Sequence, residues 1–181
     1  VFAEFGRAQA EFLRIFGVVP RTAGSAGWQA SGDSLAAYDA AGLDYASDVR
    51  GDSAFLPSLG DTIFHTPQIP TTLPTLDELL GRAEYPEARL THHYFSLLRR
   101  DRPNVLTIHA ELEGMTKLGW FGEFLTHLRD HGIHPISLAA LAKQLLKQDA
   151  PLPVCEFRQG EVDGRAGFLA MQGPRHEVSP A

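Results

Sequence analysis

Short extended apolar runs alternate with amphipathic helical stretches along most of this chain, and that alternation limits the folds open to it more than any other feature. Phe2, Phe5, Gln9, Phe12, Leu13 and Phe16 recur at three- and four-residue steps, which predicts an opening helix with a buried aromatic face, ended by Gly17. Residues 21–23 form a short extended segment before a Gly- and Ser-rich turn that ends at Trp28. Ser31 can cap a second helix with Leu35 and Tyr38 inward and Gly42 at its end. Residues 43–47 and 68–72 read as short strands, and 51–66 as a long surface loop. Pro74 and Thr75 open a helical turn through Leu80, and residues 87–100 form a longer helix. Residues 104–109 are the clearest strand, because Val105, Leu106, Thr107 and Ile108 are apolar or β-branched in sequence. A helix over 117–131 has Leu118, Phe121, Leu125 and Leu128 as its inner stripe and ends at Gly132. Residues 133–136 add a short strand, and Ser137 caps a last helix through Leu138, Leu141, Leu145 and Leu146.

A repeated βα order favours an α/β fold with a parallel sheet and helices packed outside it. About four strands can be counted, roughly half of a closed (β/α) barrel. Either the sheet is small and open or further strands lie upstream of Val1. The chain starts on Val1 rather than Met, with helical sequence already under way, so a portion of a longer protein is expected. Its 181 residues, 44% of them hydrophobic, suit one globular domain. Residues 1–149 carry the alternating pattern. Residues 150–181 turn Gly- and Pro-rich, with apolar pieces at 154–157 and 167–171 that read as a hairpin with a frayed end.

Charge and cysteine usage exclude several functions. A formal charge of −6 without any basic run leaves no footprint for a phosphate backbone, so nucleic acid is not an expected partner. Cys155 stands alone, which excludes an internal disulfide framework and a cysteine-based zinc site. No apolar stretch approaches the roughly 18 to 20 residues that span a bilayer, and any contact with lipid is expected from the side.

Reacting groups in parallel α/β sheets collect past the carboxyl ends of the strands. Three segments lie at such positions. The first is the turn ending at Trp28, whose indole can wall a sugar pocket or fill the core. The second holds Asp48 and Arg50, two apart and therefore on one side of an extended strand, where they can orient an active-site group or form a rim salt bridge. The third holds His109, followed by Glu111 and Glu113, where carboxylates beside an imidazole suit proton transfer; the bland alternative is a strand-end histidine bonded to a backbone carbonyl. His127 and His131 have helical metal-ligand spacing, but they sit in the last turn of a surface helix without an acidic third ligand, and a solvated helix end is the expectation. There is no P-loop, no G-x-G-x-x-G and no G-x-S-x-G, so ATP, dinucleotide and serine-hydrolase chemistry lack support.

Taken in order, Ala26-Gly27-Trp28, Tyr45-Ala46-Ser47-Asp48-Val49-Arg50-Gly51, Gln68-Ile69-Pro70-Thr71-Thr72-Leu73-Pro74-Thr75 with Asp77 and Glu78, and Leu106-Thr107-Ile108-His109-Ala110-Glu111-Leu112-Glu113-Gly114 resemble segments of one family. That family is the 4-deoxy-4-formamido-L-arabinose-phosphoundecaprenol deformylases, a branch of the NodB-like polysaccharide deacetylases. The resemblance implies a partial distorted (β/α) barrel of the NodB deacetylase type with its N-terminal strands missing, and a metal-dependent amide hydrolase. His109 matches the family's late histidine motif and would be the general acid, Asp48 matches an orienting carboxylate with Arg50 as its partner, and Trp28, Glu111 and Glu113 would contact substrate or orient His109. The early Asp-Asp and His-x-x-x-His motifs of the superfamily are not found at their expected place, upstream of the matched region, and its Arg-x-Pro form is absent at Arg21. A divalent metal, zinc or similar, is therefore expected on ligands upstream of Val1, with none in this chain. The implied substrate is a lipid-linked amino sugar met at the cytoplasmic face of the inner membrane, in lipid A modification and polymyxin resistance. Two alternatives remain: an N-deacetylase of a polysaccharide or peptidoglycan sugar, and an inactive fragment that serves only as a binding module.

Overall fold

A computed structural model describes residues 1–147 and 151–176. The chain divides into two compact units. One comprises Val1–Thr71 with the described parts of Gln148–Val162 and Ala166–Ala181, and the other comprises Thr72–Lys147 with Asp163–Arg165.

In the first unit, α1 (Phe2–Phe16) stops where expected, because Gly17 turns left-handed at φ 71° and its N–H bonds Leu13 O at 2.8 Å. Its aromatic face is not buried, which corrects the sequence reading. Phe5 packs edge-on against Tyr38 at 5.3 Å, while Phe12, Leu13, Ile15 and Phe16 stay exposed. The 3.6-residue period of α1 thus marks an apolar face that only one aromatic contact covers among the described residues. A short strand β1 (Thr22–Ala23) leads into the tight turn Ala26–Trp28, followed by α2 (Gly32–Ala41). Ser31 caps α2 by accepting the Ser34 N–H, Leu35 and Tyr38 are buried, and Gly42 ends it at φ 62°. Strand β2 (Tyr45–Ala46) pairs in parallel with β1, and isolated parallel bridges carry the pattern to Gln68 beside Ala46 and Thr71 beside Arg50.

The expected loop over 51–66 is instead a hairpin of β3 (Leu56–Leu59) and β4 (Thr62–Ile63), with Leu59 opposite Thr62 across Gly60 and Asp61. Gly60, at φ 57°, supplies the left-handed residue that so short a turn needs. Buried Phe55 and Phe64 flank the hairpin and draw it onto the core of Leu35, Val49, Cys155, Phe157 and Ala170. The hairpin expected near the end is present as β5 (Val154–Gly160) and β6 (Leu169–Arg175), antiparallel to each other. Because β5 also pairs in parallel with β3, the sheet runs β4-β3-β5-β6 and is mixed, not wholly parallel as expected. The expected boundary at residue 149 and the expected frayed end of the chain lie outside the described residues.

The second unit is largely helical: α3 (Leu76–Leu79), a 3₁₀ turn at Glu87–Arg89, α4 (Leu90–Leu97), α5 (Leu118–Asp130) and α6 (Leu138–Leu145). The helix expected over 87–100 ends early because the Asn104 side chain accepts the Arg99 N–H at 2.9 Å and donates to Arg99 O at 2.7 Å, which replaces helical bonding there. Residues 104–109 are extended but form no ladder. The Val105 carbonyl accepts both the Thr72 and Leu73 N–H groups at 3.1 Å, so pairing halts after one residue. Residues 133–136 likewise form no strand, and Ile133 and Ile136 are exposed. The inner face of α5 is also rotated from the expected stripe: Phe124 and Leu128 are buried, whereas Leu118 and Leu125 are exposed. Phe124 stacks on Trp120 at 5.4 Å and meets Tyr94 at 5.4 Å, within a cluster that includes Leu76, Leu79 and Leu90. This aromatic pairing explains the rotation, since rings bury more area per position than leucine does.

Two stability outcomes follow from these contacts. Phe124→Ala should remove about 3–5 kcal/mol, read as a lower urea midpoint with Trp120 fluorescence as probe, and an unmoved midpoint would deny Phe124 its central place. Gly42→Ala meets open space, so only its left-handed backbone is penalised, and the loss should stay near 1–2 kcal/mol by the same measurement.

Candidate functional site

Among the sequence-predicted residues, Trp28, Asp48 and Arg50 fall in the first unit and His109, Glu111 and Glu113 in the second, and each group has its own geometry. In the first, Asp48 is fully buried at the end of β2. One carboxylate oxygen accepts the Ser25 N–H and the other accepts Gln68 Nε2 at 3.3 Å, while the Asp48 N–H donates to Gln68 Oε1 at 3.1 Å. A buried carboxylate needs such donors, and here they tie the Gly- and Ser-rich turn to the strand end. Burial, then the Asp48 charge, push the nearby Tyr38 phenol above its usual range.

That turn carries the one left-handed residue other than glycine among the described residues, Trp28 at φ 56°, directly after Gly27 at φ 62°. Its ring is buried, its indole N–H donates to Thr71 Oγ1 at 3.3 Å, and the Arg50 guanidinium lies 4.9 Å over its face. Strained backbone of this kind persists only where surrounding contacts over-determine it. Arg21 pairs with Asp44, whose carboxyl that contact holds below the usual range.

In the second unit, His109 closes the extended segment and opens a wide turn, Leu112–Thr116, in which Lys117 N–H reaches Leu112 O at 2.7 Å. Glu113 is 2% exposed and accepts the His109 N–H at 2.8 Å, so this carboxylate fixes the histidine backbone. Glu111 is exposed. His109 Nδ1 is buried without a hydrogen-bond partner among the described residues, and Asp77 Oδ1 stands 3.7 Å away. Asp77 also faces Arg165 Nη2 at 3.2 Å through its second oxygen, and the neighbouring Glu78 accepts Arg165 Nε at 3.1 Å. The sequence reading assigned no role to Asp77, Glu78 or Arg165. A Thr-x-x-Glu capping pattern at Thr75 and Glu78 was readable, and the Thr75 N–H does bond Glu78 Oε2 at 3.0 Å.

Among the described residues no three His, Cys, Asp or Glu side chains gather into a metal-binding set. His131 directs Nδ1 at His127 O, 2.8 Å away, and its ring meets Phe95 at 4.9 Å, so this pair stays part of a helix end. No helix among the described residues is long and apolar enough to cross a membrane.

No family model matches the chain. A protein of Shewanella sediminis (strain HAW-EB3), assigned as a 4-deoxy-4-formamido-L-arabinose-phosphoundecaprenol deformylase, is 36% identical over 147 residues, which cover 81% of this chain and 46% of that protein. A protein of Wigglesworthia glossinidia brevipalpis with the same assignment is 34% identical over 132 residues, 72% of this chain and 44% of the relative. Among solved structures, a polysaccharide deacetylase from Mycobacterium smegmatis matches in fold with a TM-score of 0.61 at 16% identity, over 81% of this chain and 57% of that one. The chain spans about half the length of the curated relatives it matches. In sequence the chain is similar over most of its length to these deformylases, and in fold it matches a polysaccharide deacetylase.

Proposed function

We propose that this chain supplies the acid-bearing portion of a carbon–nitrogen hydrolase that removes the formyl group from undecaprenyl-phosphate-linked 4-formamido-4-deoxy-L-arabinose, within the partial distorted barrel of the NodB type. The names of the relatives support the substrate class. The observation that carries the chemistry is the environment of His109. Its Nδ1 is enclosed beside Asp77 while its side chain remains 31% exposed, which leaves Nε2 as the nitrogen that can meet a substrate.

Amide hydrolysis adds a water oxygen to the formyl carbon and then breaks the C–N bond. The nitrogen departs only once it has gained a proton, because an amide anion is far too basic to leave. In this reading the His109 imidazolium gives that proton from Nε2, so formate and the free amino sugar result. Asp48, through Ser25 and Gln68, shapes the Trp28 turn, and Arg50 is held over the Trp28 ring within the same unit. In the same reading exposed Glu111 contacts substrate, and Glu113, which accepts the His109 N–H, orients His109.

A divalent metal such as zinc would polarise the formyl carbonyl in an enzyme of this family. The described residues do not fit it, since no set of three ligands exists among them. Its ligands are therefore assigned to parts of the relatives that this chain does not match. The whole protein would work peripherally at the cytoplasmic face of the inner membrane, in the lipid A modification that confers polymyxin resistance.

The test is steady-state turnover by the whole enzyme carrying His109→Gln, with formamido and acetamido sugars offered in parallel. Loss of an acid should lower kcat about 100- to 10,000-fold with little change in KM. Near-normal turnover would refute the acid role. Faster cleavage of the acetamide would move the assignment to an N-deacetylase, and binding without any hydrolysis by the unsubstituted enzyme would leave only a binding module.

A further inference from the structure

Asp163, Gly164 and Arg165 lie between β5 and β6 and belong to the same unit as α3. All three meet α3 or the residues just after it. Arg165 donates from Nε to Glu78 and from Nη2 to Asp77, at 3.1 and 3.2 Å. Asp163 accepts Arg82 Nη2 at 2.7 Å. Gly164 is left-handed at φ 83°, and a Cβ there would collide with the Glu78 carbonyl oxygen and crowd Arg82 Nη1 at 2.9 Å, so only glycine lets the backbone come this close.

These contacts converge on one carboxylate. Asp77 Oδ2 faces Arg165, and Asp77 Oδ1 faces the buried, unpartnered Nδ1 of His109 at 3.7 Å. Glu78, 1% exposed, anchors the other arm of the same guanidinium. A planar fork that grips two successive carboxylates fixes their rotation in a way that a single charge cannot. The Asp77 side chain is 40% exposed, so without the fork it is free to turn toward water.

We propose that Arg165 is a positioning residue for His109: by clamping Asp77 against Glu78 it holds the second Asp77 oxygen toward Nδ1 and so fixes which way the imidazole faces. This rests on His109 being the acid of the proposed reaction. Hydrogen bonds of catalytic groups are often long before substrate binds, and the 3.7 Å between Asp77 Oδ1 and Nδ1 is of that kind. The Arg82–Asp163 pair, with Asp163 78% exposed, contributes little and provides a control on the same turn.

The experiment reads the ring nitrogen and C–H resonances of His109 by NMR in this chain, assigned by their loss in His109→Gln. Arg165→Met and Asp77→Asn should each move those resonances, and the double variant should move them no further than the larger single change. Asp163→Asn should leave them in place. Unmoved resonances in folded Arg165→Met would overturn the proposal; should that variant not fold, unmoved resonances in Asp77→Asn decide the same way. Equal movement in Asp163→Asn would also overturn it, since the turn would then act only through general packing. In the whole enzyme, Arg165→Met should lower kcat by up to about 100-fold at constant KM, and an unchanged kcat would overturn the proposal. Absence of hydrolysis in the unsubstituted enzyme would sink the acid reading alone, because the ring coupling is measured without turnover.

Discussion

Buried carboxylates are the constraint on which the candidate residues of both units depend. A carboxylate taken out of water is costly unless donors replace its hydration, and each of these has backbone N–H groups aimed at it. Asp48 takes the Ser25 N–H, Glu78 the Thr75 N–H and Glu113 the His109 N–H. In every case the donor residue also accepts a backbone N–H from the turn or helix that follows it. The polar groups expected to do chemistry are thus also the groups that define local backbone shape, and removing one leaves both a cavity in the hydrogen-bonding pattern and an unsettled loop.

Elements governed by local rules were legible in the sequence. Gly17 and Gly42 end their helices in left-handed conformation, and Ser31 and Ser137 accept N–H groups from the first turns of theirs. What escaped were features set by distant partners. The β3–β4 hairpin sits in a stretch rich in Gly, Ser, Asp and Pro, and β3 is secured by β5, nearly a hundred positions later. Residues 104–109 have every local mark of a strand, yet strand status needs a neighbouring ladder, and the Val105 carbonyl is shared by two successive N–H groups instead. Periodicity likewise located α1 and α5 but could not say which face is covered, because burial belongs to the packing partner and not to the helix.

The candidate site divides along the same line. His109 and Asp48 could be read from their positions after extended runs, and Glu113 from its spacing to His109. Arg165 could not, since nothing near it in sequence points to α3. Its neighbours Gly164 and Gly167 mark a turn, which is the usual reading of such a segment. Only the fold brings a guanidinium from that turn to Asp77 and Glu78. Asp77 itself looked like an ordinary acidic residue in the first turn of a helix, where it complements the dipole.

In the proposed reaction the acid needs a settled backbone and a settled ring, and the second unit offers a separate contact for each. Glu113 holds the His109 main chain through a bond of ordinary length, which ties down the end of the extended segment. The ring has one further torsional freedom, which that bond does not restrict. Misplacing a reacting atom by about 1 Å can cost two orders of magnitude in rate, far more than the entropy of fixing one imidazole. Selection for turnover would therefore favour a device acting on the ring alone, even one that contributes little to stability. A carboxylate at Nδ1, itself held by a fork from elsewhere in the chain, has that character: it constrains orientation while leaving Nε2 open to the substrate.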